Sequence, residues 1–276
     1  MLQTMHELRE TSLEAGLSLG ATALLWQAKT DGVEPSVLLN GMNKRLKVMK
    51  DSVKHGLAPD LRSVSGQVGG QSSKLLAQKE RFGVFSTALT YALAIAESNA
   101  CMGKIVAAPT AGSCGILPAA MLSVQEVLQK TDKEICYALF CAAAVGRVIT
   151  LQATVSGAEG GCQAECGAAA AMAAAALVEL YGGSPCEAID AVGFTLMNML
   201  GLVCDPVGGL VEIPCVYRNV GGVSQAFAGA QLALCGVPCP IPCDEIVLAM
   251  KEVGDAMPSS LRETGEGGCA GCPSMR

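Results

Sequence analysis

Between Cys166 and Val178 the chain reads CGAAAAMAAAALV, thirteen residues without a charge and mostly alanine. Alanine is the strongest helix former, and its single methyl lets neighbouring backbones come close. A helix that is apolar all round is buried all round. The segment is well short of the roughly 20 residues that cross a bilayer, so it predicts a buried helix inside a compact helical body. The rest of the chain agrees. Hydrophobic residues make up 51% of its 276 positions and aromatic residues only 4%, so the apolar mass is Ala, Leu, Val, Met and Cys. No run alternates apolar and polar residues as a half-buried strand would. The fold class is therefore all-α, with the whole chain, 1–276, forming one catalytic-sized domain and the helices of 1–56 packing on the body.

Apolar helices are interrupted by loops of small polar residues. Two helical patterns fill the first 56 residues, with breaks at Thr30-Asp31-Gly32 and Asn40-Gly41; Leu38, Met42, Leu46, Met49 and Val53 form one apolar face. A Gly- and Ser-rich stretch, LAPDLRSVSGQVGGQSS, runs from Leu57 to Ser73, and a long helix is expected from Ser73 to Asn99. Further loops are AAPTAGSCG (Ala107–Gly115), SGAEGG (Ser156–Gly161) and the proline- and glycine-bearing LVCDPVGGLVEIPCVYRN (Leu202–Asn219). Helices are expected near 116–129, 132–150, after Ser184-Pro185, and over about 220–234 and 244–257. Loops held on a rigid helical body are a usual place for chemistry.

Net charge is −6, which excludes a basic footprint for nucleic acid. The N-terminus, MLQTMHELRE, is polar where an export signal would be apolar, so the expected location is the cytoplasm, away from any membrane. There the fourteen cysteines stay reduced. Local spacing does not assemble them into a metal site: the one C-x2-C, Cys269 and Cys272, lacks a second knuckle, and His6 and His55 are remote in sequence. Three differ in context. Cys162 follows two glycines at a helix start, where N–H groups favour a thiolate. Cys204 precedes Asp205-Pro206 and Cys215 follows Pro214, in a loop that proline shapes. Three such thiolates suit three irons of a 4Fe–4S cluster whose fourth iron stays open.

TAGSCGILPA (Thr110–Ala119), SGAEGGCQAECG (Ser156–Gly167), NMLGLVCDPVGGLVEIPCVYRN (Asn198–Asn219) and MPSSLRETGEGG (Met257–Gly268) resemble the bacterial iron–sulfur L-serine dehydratases. The similarity is to the α subunit of the two-chain form and runs almost the length of the chain. It implies an all-helical fold and conversion of L-serine to pyruvate and ammonia. It also implies a 4Fe–4S cluster on Cys162, Cys204 and Cys215 with one iron open to substrate. The family's S-x-T-G-x-x-G-G loop corresponds to Ser63-Val64-Ser65-Gly66-Gln67-Val68-Gly69-Gly70, with serine for threonine. The resemblance thus assigns the substrate carboxylate to Ser63, Ser65, Gly66, Gly69 and Gly70, joined by Thr110 of TAGSCGILPA. A separate β subunit with a regulatory α/β domain, or self-association, is the implied partnership.

Removing hydroxide from Cβ and a proton from Cα needs a Lewis acid and a base. Lys74, His55 and a loop hydroxyl are the candidate bases. Glu159, Asp205, Arg218 and Arg262 sit in the quoted motifs with loop structure or ion pairing as the alternative. The tail departs from relatives, reading GGCAGCPSMR after R-E-T, and leaves two options: a cysteine cap on the open iron, or a frayed end. L-Cysteine desulfidation on the same fold, and a cluster-less partner subunit, are the competing functions.

Overall fold

The computed structural model describes residues 2–275, and among them there is no β-strand. The helices are α1 Met5–Ala15, α2 Leu19–Asp31, α3 Pro35–Gly56, α4 Ser72–Leu76, α5 Val84–Ala100 and α6 Ile116–Gln125. They continue with α7 Asp132–Gln152, α8 Gly157–Gly160, α9 Ala168–Leu180, α10 Pro185–Met199, α11 Cys215–Leu234 and α12 Cys243–Ala256. The all-α expectation holds.

The alanine-rich segment becomes α9, and every residue in it except Glu179 is buried. It packs against α6, α7, α10 and α11 at once. Four neighbours fit around one helix because alanine methyls keep the interaxial distances short. Around this centre α5 packs on α3, α6 and α11, while α2 lies on α7. Helix α7 is long and apolar enough to cross a membrane by length and composition, but 67% of its apolar window is buried in the protein core. Local capping agrees with the sequence. Ser184 and Glu187 form a reciprocal capping box ahead of Pro185 at the start of α10, and Thr131 with Glu134 does the same for α7.

The structure corrects three expectations about element boundaries. The first 56 residues form three helices, and the expected break at Asn40-Gly41 lies inside a continuous α3. Its apolar face explains why: Leu46, Met49 and Val53 are buried and Leu38 and Met42 pack against the core. That burial outweighs the roughly 1 kcal/mol that one interior glycine costs. The helix expected over 73–99 is split into α4, which stops at Leu76, a 3₁₀ turn at Lys79–Phe82 and α5; Gly83, with φ +60°, turns the chain between the last two. Finally, Cys215 and the residues through Asn219 belong to α11 rather than to the preceding loop.

The segments that interrupt the helices meet one another. A turn of wide, π-type helix, Gln163–Gly167, links α8 to α9 and touches α10, α11 and α12. The 3₁₀ turns Val207–Gly209 and Gly268–Gly271 are in contact, and a single parallel bridge joins Cys204 to Arg262. Enlarging the centre tests the close packing of α9. Ala174→Leu should lower stability by about 1–3 kcal/mol through overpacking, read as a fall in the urea midpoint with an unchanged slope.

Candidate active site

The three cysteines distinguished by context come from three different segments and lie in one neighbourhood. Cys162 precedes the π turn, and Gln163 N–H beside it donates to Leu202 O at 2.9 Å, tying the turn to the loop after α10. Cys204 lies in that loop, clamped by its own N–H to Leu261 O (2.8 Å) and by Glu263 N–H to its carbonyl (2.7 Å). Cys215 opens α11, where Asn219 Nδ2 donates to its carbonyl at 2.9 Å. All three are buried.

Their electrostatics show that the thiols feel one another. The Cys166 thiol hydrogen-bonds Cys162 and, with help from the Arg218 guanidinium, outweighs burial and holds the Cys162 thiol below its usual range. Burial pushes Cys215 up to about 12, with the charge of Cys162 adding to it. Cys204 moves up for the same two reasons. Arg218 organises this group: its Nη1 donates to Val203 O at 2.7 Å and its Nη2 lies 2.7 Å from the buried Asp205 Oδ1. Burial alone would loosen the Arg218 proton, but the charges of Cys162 and Asp205 hold it more tightly than in water.

Among the described residues no three His, Cys, Asp or Glu side chains converge on a single ion. The donor set nevertheless fits an iron–sulfur cluster. A cluster presents its irons at separate corners, so its ligands surround a volume rather than a point. Soft sulfur donors, buried from water and drawn from several loops, are what such a cluster takes. Cys166, by contrast, is buried with its thiol turned to Cys162 and pushed up by that bond, in keeping with a packing role.

A carboxylate that sequence reasoning passed over sits beside the sulfurs. Glu165 accepts a very short hydrogen bond from Thr110 Oγ1 through Oε1, and Thr110 also bonds Ser113 Oγ at 3.0 Å. Its other oxygen, Oε2, faces Gly157 together with the Cys204 sulfur and Glu263 Oε2: a Cβ built on Gly157 would lie within 3.0–3.5 Å of all three. Burial, and then the charge of Glu263, raise the Glu165 carboxyl above its ordinary value despite the Thr110 bond. Glu165 was visible in GCQAECG as an acid inside an otherwise uncharged run.

The hydroxyls of the serine loop are already engaged. Ser63 Oγ donates to Glu212 Oε2 at 2.6 Å, Ser65 Oγ makes a very short bond to the same oxygen, and Ser65 N–H reaches Oε1 at 3.1 Å. The end of the loop rests on Glu97, buried in α5, which accepts Gln71 N–H at 2.9 Å and Ser72 N–H at 3.0 Å. Gly70 is required by shape, since a Cβ there would stand 2.3 Å from Pro59 O. Glu97 was legible as the one acid of an apolar helix, whereas nothing local to VEIPC marks Glu212 as the partner of a loop 147 residues away.

The two candidate bases fare differently. His55 Nδ1 bonds Ser98 Oγ at 2.9 Å, and the adjacent Gly56 carbonyl accepts Ser72 Oγ at 2.7 Å, so His55 stands at the foot of the serine loop. Lys74 is exposed on α4 and lines a groove with Gln78, Arg81 and Phe82, among which there is no cysteine. Glu159 and Arg262 line an open cleft of about 540 Å³ with Thr154, Ser259 and Thr264. The tail is docked: Cys269 N–H donates to Asp205 Oδ2 at 2.6 Å, whereas Cys272 is exposed.

Comparison with known proteins decides the family. Residues 7–270 match the family model described as "Serine dehydratase alpha chain". This chain belongs to the serine dehydratase alpha-chain family. A probable L-serine dehydratase alpha chain of Bacillus subtilis is 42% identical over 281 aligned positions, covering 100% of this chain and 93% of that protein. The L-serine dehydratase alpha chain of Peptoniphilus asaccharolyticus is 42% identical, covering 98% of this chain and 94% of its own length. L-Serine dehydratase TdcG of Escherichia coli is 35% identical over 90% of this chain but only 53% of its own, longer, sequence. As a member of the family, the chain is similar to relatives called alpha chains over nearly their whole length, and to roughly half of the longer form.

The docking of the tail depends on Gly268, which has φ +58° and whose Cβ would come 2.2 Å from Asp205 Oδ2. Gly268→Ala should therefore undo the Cys269–Asp205 contact at a cost of about 1 kcal/mol or more. Tryptic cleavage after Arg262 in the folded protein should become roughly fivefold faster.

Proposed function

We propose that this chain is the catalytic α chain of an L-serine dehydratase, which eliminates water from L-serine to give pyruvate and ammonia. The observation that carries this reading is the meeting of Cys162, Cys204 and Cys215 with a half-buried carboxylate, Glu165, at one site. Cys162, Cys204 and Cys215 would hold a 4Fe–4S cluster, which when bound supplies a Lewis acid for the departing hydroxide. Soft, buried sulfur donors from three separate places in the chain support that assignment over a structural zinc site, which favours paired local knuckles.

The remaining work falls to the chain's own groups. Glu165 Oε2 takes the proton from Cα; Oε1 is fixed by Thr110, which orients the carboxylate, and burial raises its basicity toward that of a useful general base. The electron pair of the Cα–H bond forms the Cα–Cβ double bond as the C–O bond breaks, and the hydroxyl leaves as water with one proton. The aminoacrylate product tautomerises to an imine and is hydrolysed to pyruvate and ammonia without further catalysis. The serine loop, Ser63 to Gly70, holds the substrate carboxylate. Arg218 balances the negative charge gathered by the sulfurs and by Asp205. His55, at the foot of the serine loop, orients that loop through Gly56 and its neighbours rather than meeting the sulfurs.

A second chain belongs to this reading. The relatives' designation as alpha chains supports a separate β chain as partner, with the regulatory domain on that chain.

Cys204→Ser should lose most iron and acid-labile sulfide after anaerobic reconstitution, together with the visible absorbance of a cluster, while the exposed Cys186→Ser keeps both. A full cluster in Cys204→Ser would sink the ligand assignment. Glu165→Gln should keep the cluster and lower kcat by about 10²–10⁴, the usual worth of a positioned base. Pyruvate release from L-serine and from L-cysteine, assayed side by side with added β chain, decides the substrate. Faster turnover of cysteine would replace dehydration by desulfidation.

A further inference from the structure

Ser63, Ser65 and the Ser65 N–H form a cradle for a carboxylate, and the chain fills it with its own Glu212. Glu212 is only 5% exposed, and no cation is paired with it among the described residues. Burial alone would raise its carboxyl, but the hydroxyls of Ser63 and Ser65 outweigh burial and hold it below its ordinary value. Displacing it would leave a buried anion with no donors, a strongly unfavourable state. A substrate carboxylate entering the same cradle would also meet like charge.

The position of Glu212 gives the contact its meaning. It stands three residues before Cys215, and its own carbonyl accepts Val216 N–H at 2.8 Å in the first turn of α11. Its side chain thus joins the serine loop to the segment that carries a sulfur ligand. Within the loop, Gln67 N–H bonds Ser65 Oγ at 3.1 Å and Val68 N–H bonds Ser63 Oγ at 3.3 Å, so the two hydroxyls also shape the turn. Gly69 and Gly70, by contrast, donate to no protein acceptor among the described residues.

We infer that Glu212 is a positioning residue: it latches the serine loop to the Cys215 segment through Ser63 and Ser65, and leaves the N–H groups of Gly69 and Gly70 to receive the substrate carboxylate. This rests on the reading above, that loop and sulfurs form one site. It transfers Ser63 and Ser65 from touching substrate to holding the loop at the right distance from the sulfurs. A latch that sets where a carboxylate lands acts on binding of the ground state, and so on KM more than on kcat.

The test uses the full chain with added β chain, reconstituted anaerobically, with L-serine as probe and Glu212→Gln, Ser65→Ala and their combination as variants. Ser65 is partly exposed, so its alanine variant tests the latch even if Glu212→Gln folds poorly. Each single variant is expected to raise KM about tenfold, the scale of a lost charge-assisted hydrogen bond, with kcat and iron per chain close to wild type. The double variant should be no worse than Glu212→Gln alone, because both remove one contact. Amide exchange over residues 63–72 should quicken in each. A KM that falls in Glu212→Gln would show the glutamate competing with substrate and overturn the latch, as would an unchanged KM or additive effects. If wild type fails to dehydrate serine, the proposed function fails by itself. The latch is then judged by exchange alone: acceleration confined to 63–72 supports it and unchanged exchange refutes it.

Discussion

The architecture depends on how closely helices approach α9. Its alanines present little more than backbone, so α6, α7, α10 and α11 all pack on it directly. Dispersion between closely spaced backbones then stands in for the large aromatic side chains the chain lacks. The consequence for function is rigidity. The π turn that follows Cys162 and carries Glu165 runs straight into α9, and α11 begins with Cys215 and packs along it. Two of the three sulfurs are therefore attached to the least deformable part of the protein, as a preorganised site requires.

Buried and half-buried carboxylates fasten the loops to this body, and most do so without a cation. Glu97 accepts two N–H groups of the serine loop, Glu212 takes its hydroxyls, and Glu165 holds Thr110 of the second loop. Glu179, the one polar residue of α9, receives Ser18 Oγ and Gly20 N–H, each at 2.8 Å, and so binds the start of α2. A carboxylate accepts several hydrogen bonds at once, so one side chain can satisfy the unpaired donors of a whole turn. Asp205 is the exception. It faces Arg218 on one oxygen and the tail on the other, next to the sulfurs, where negative charge accumulates and a cation is needed.

Much of the site was legible before the fold was. Cys162, Cys204 and Cys215 stood apart from eleven other cysteines because glycine and proline fixed the backbone around them, and backbone shape is a local property. Capping at Ser184 was readable for the same reason. Misreadings arose where a long-range contact outweighed a local preference. Gly41 stays helical because its neighbours bury a face against the core, and the helix expected from Ser73 stops at Leu76, which leaves Lys74 exposed on the short α4. Cys269 is held by an aspartate 64 residues away, a contact that no property of the tail itself announces.

The sequence by itself determined the helical class, the buried centre and the glycine- and serine-rich loops, and it set Cys162, Cys204 and Cys215 apart, since each follows from composition or from backbone preferences within a few residues. Only the tertiary structure decided which acid meets which loop. Glu165, Glu97 and Glu212 acquire their roles from partners 55, 26 and 147 residues away. A carboxylate has no intrinsic preference among the donors it might meet. Which ones it finds is set by how the helices pack, and that packing is a property of the whole chain.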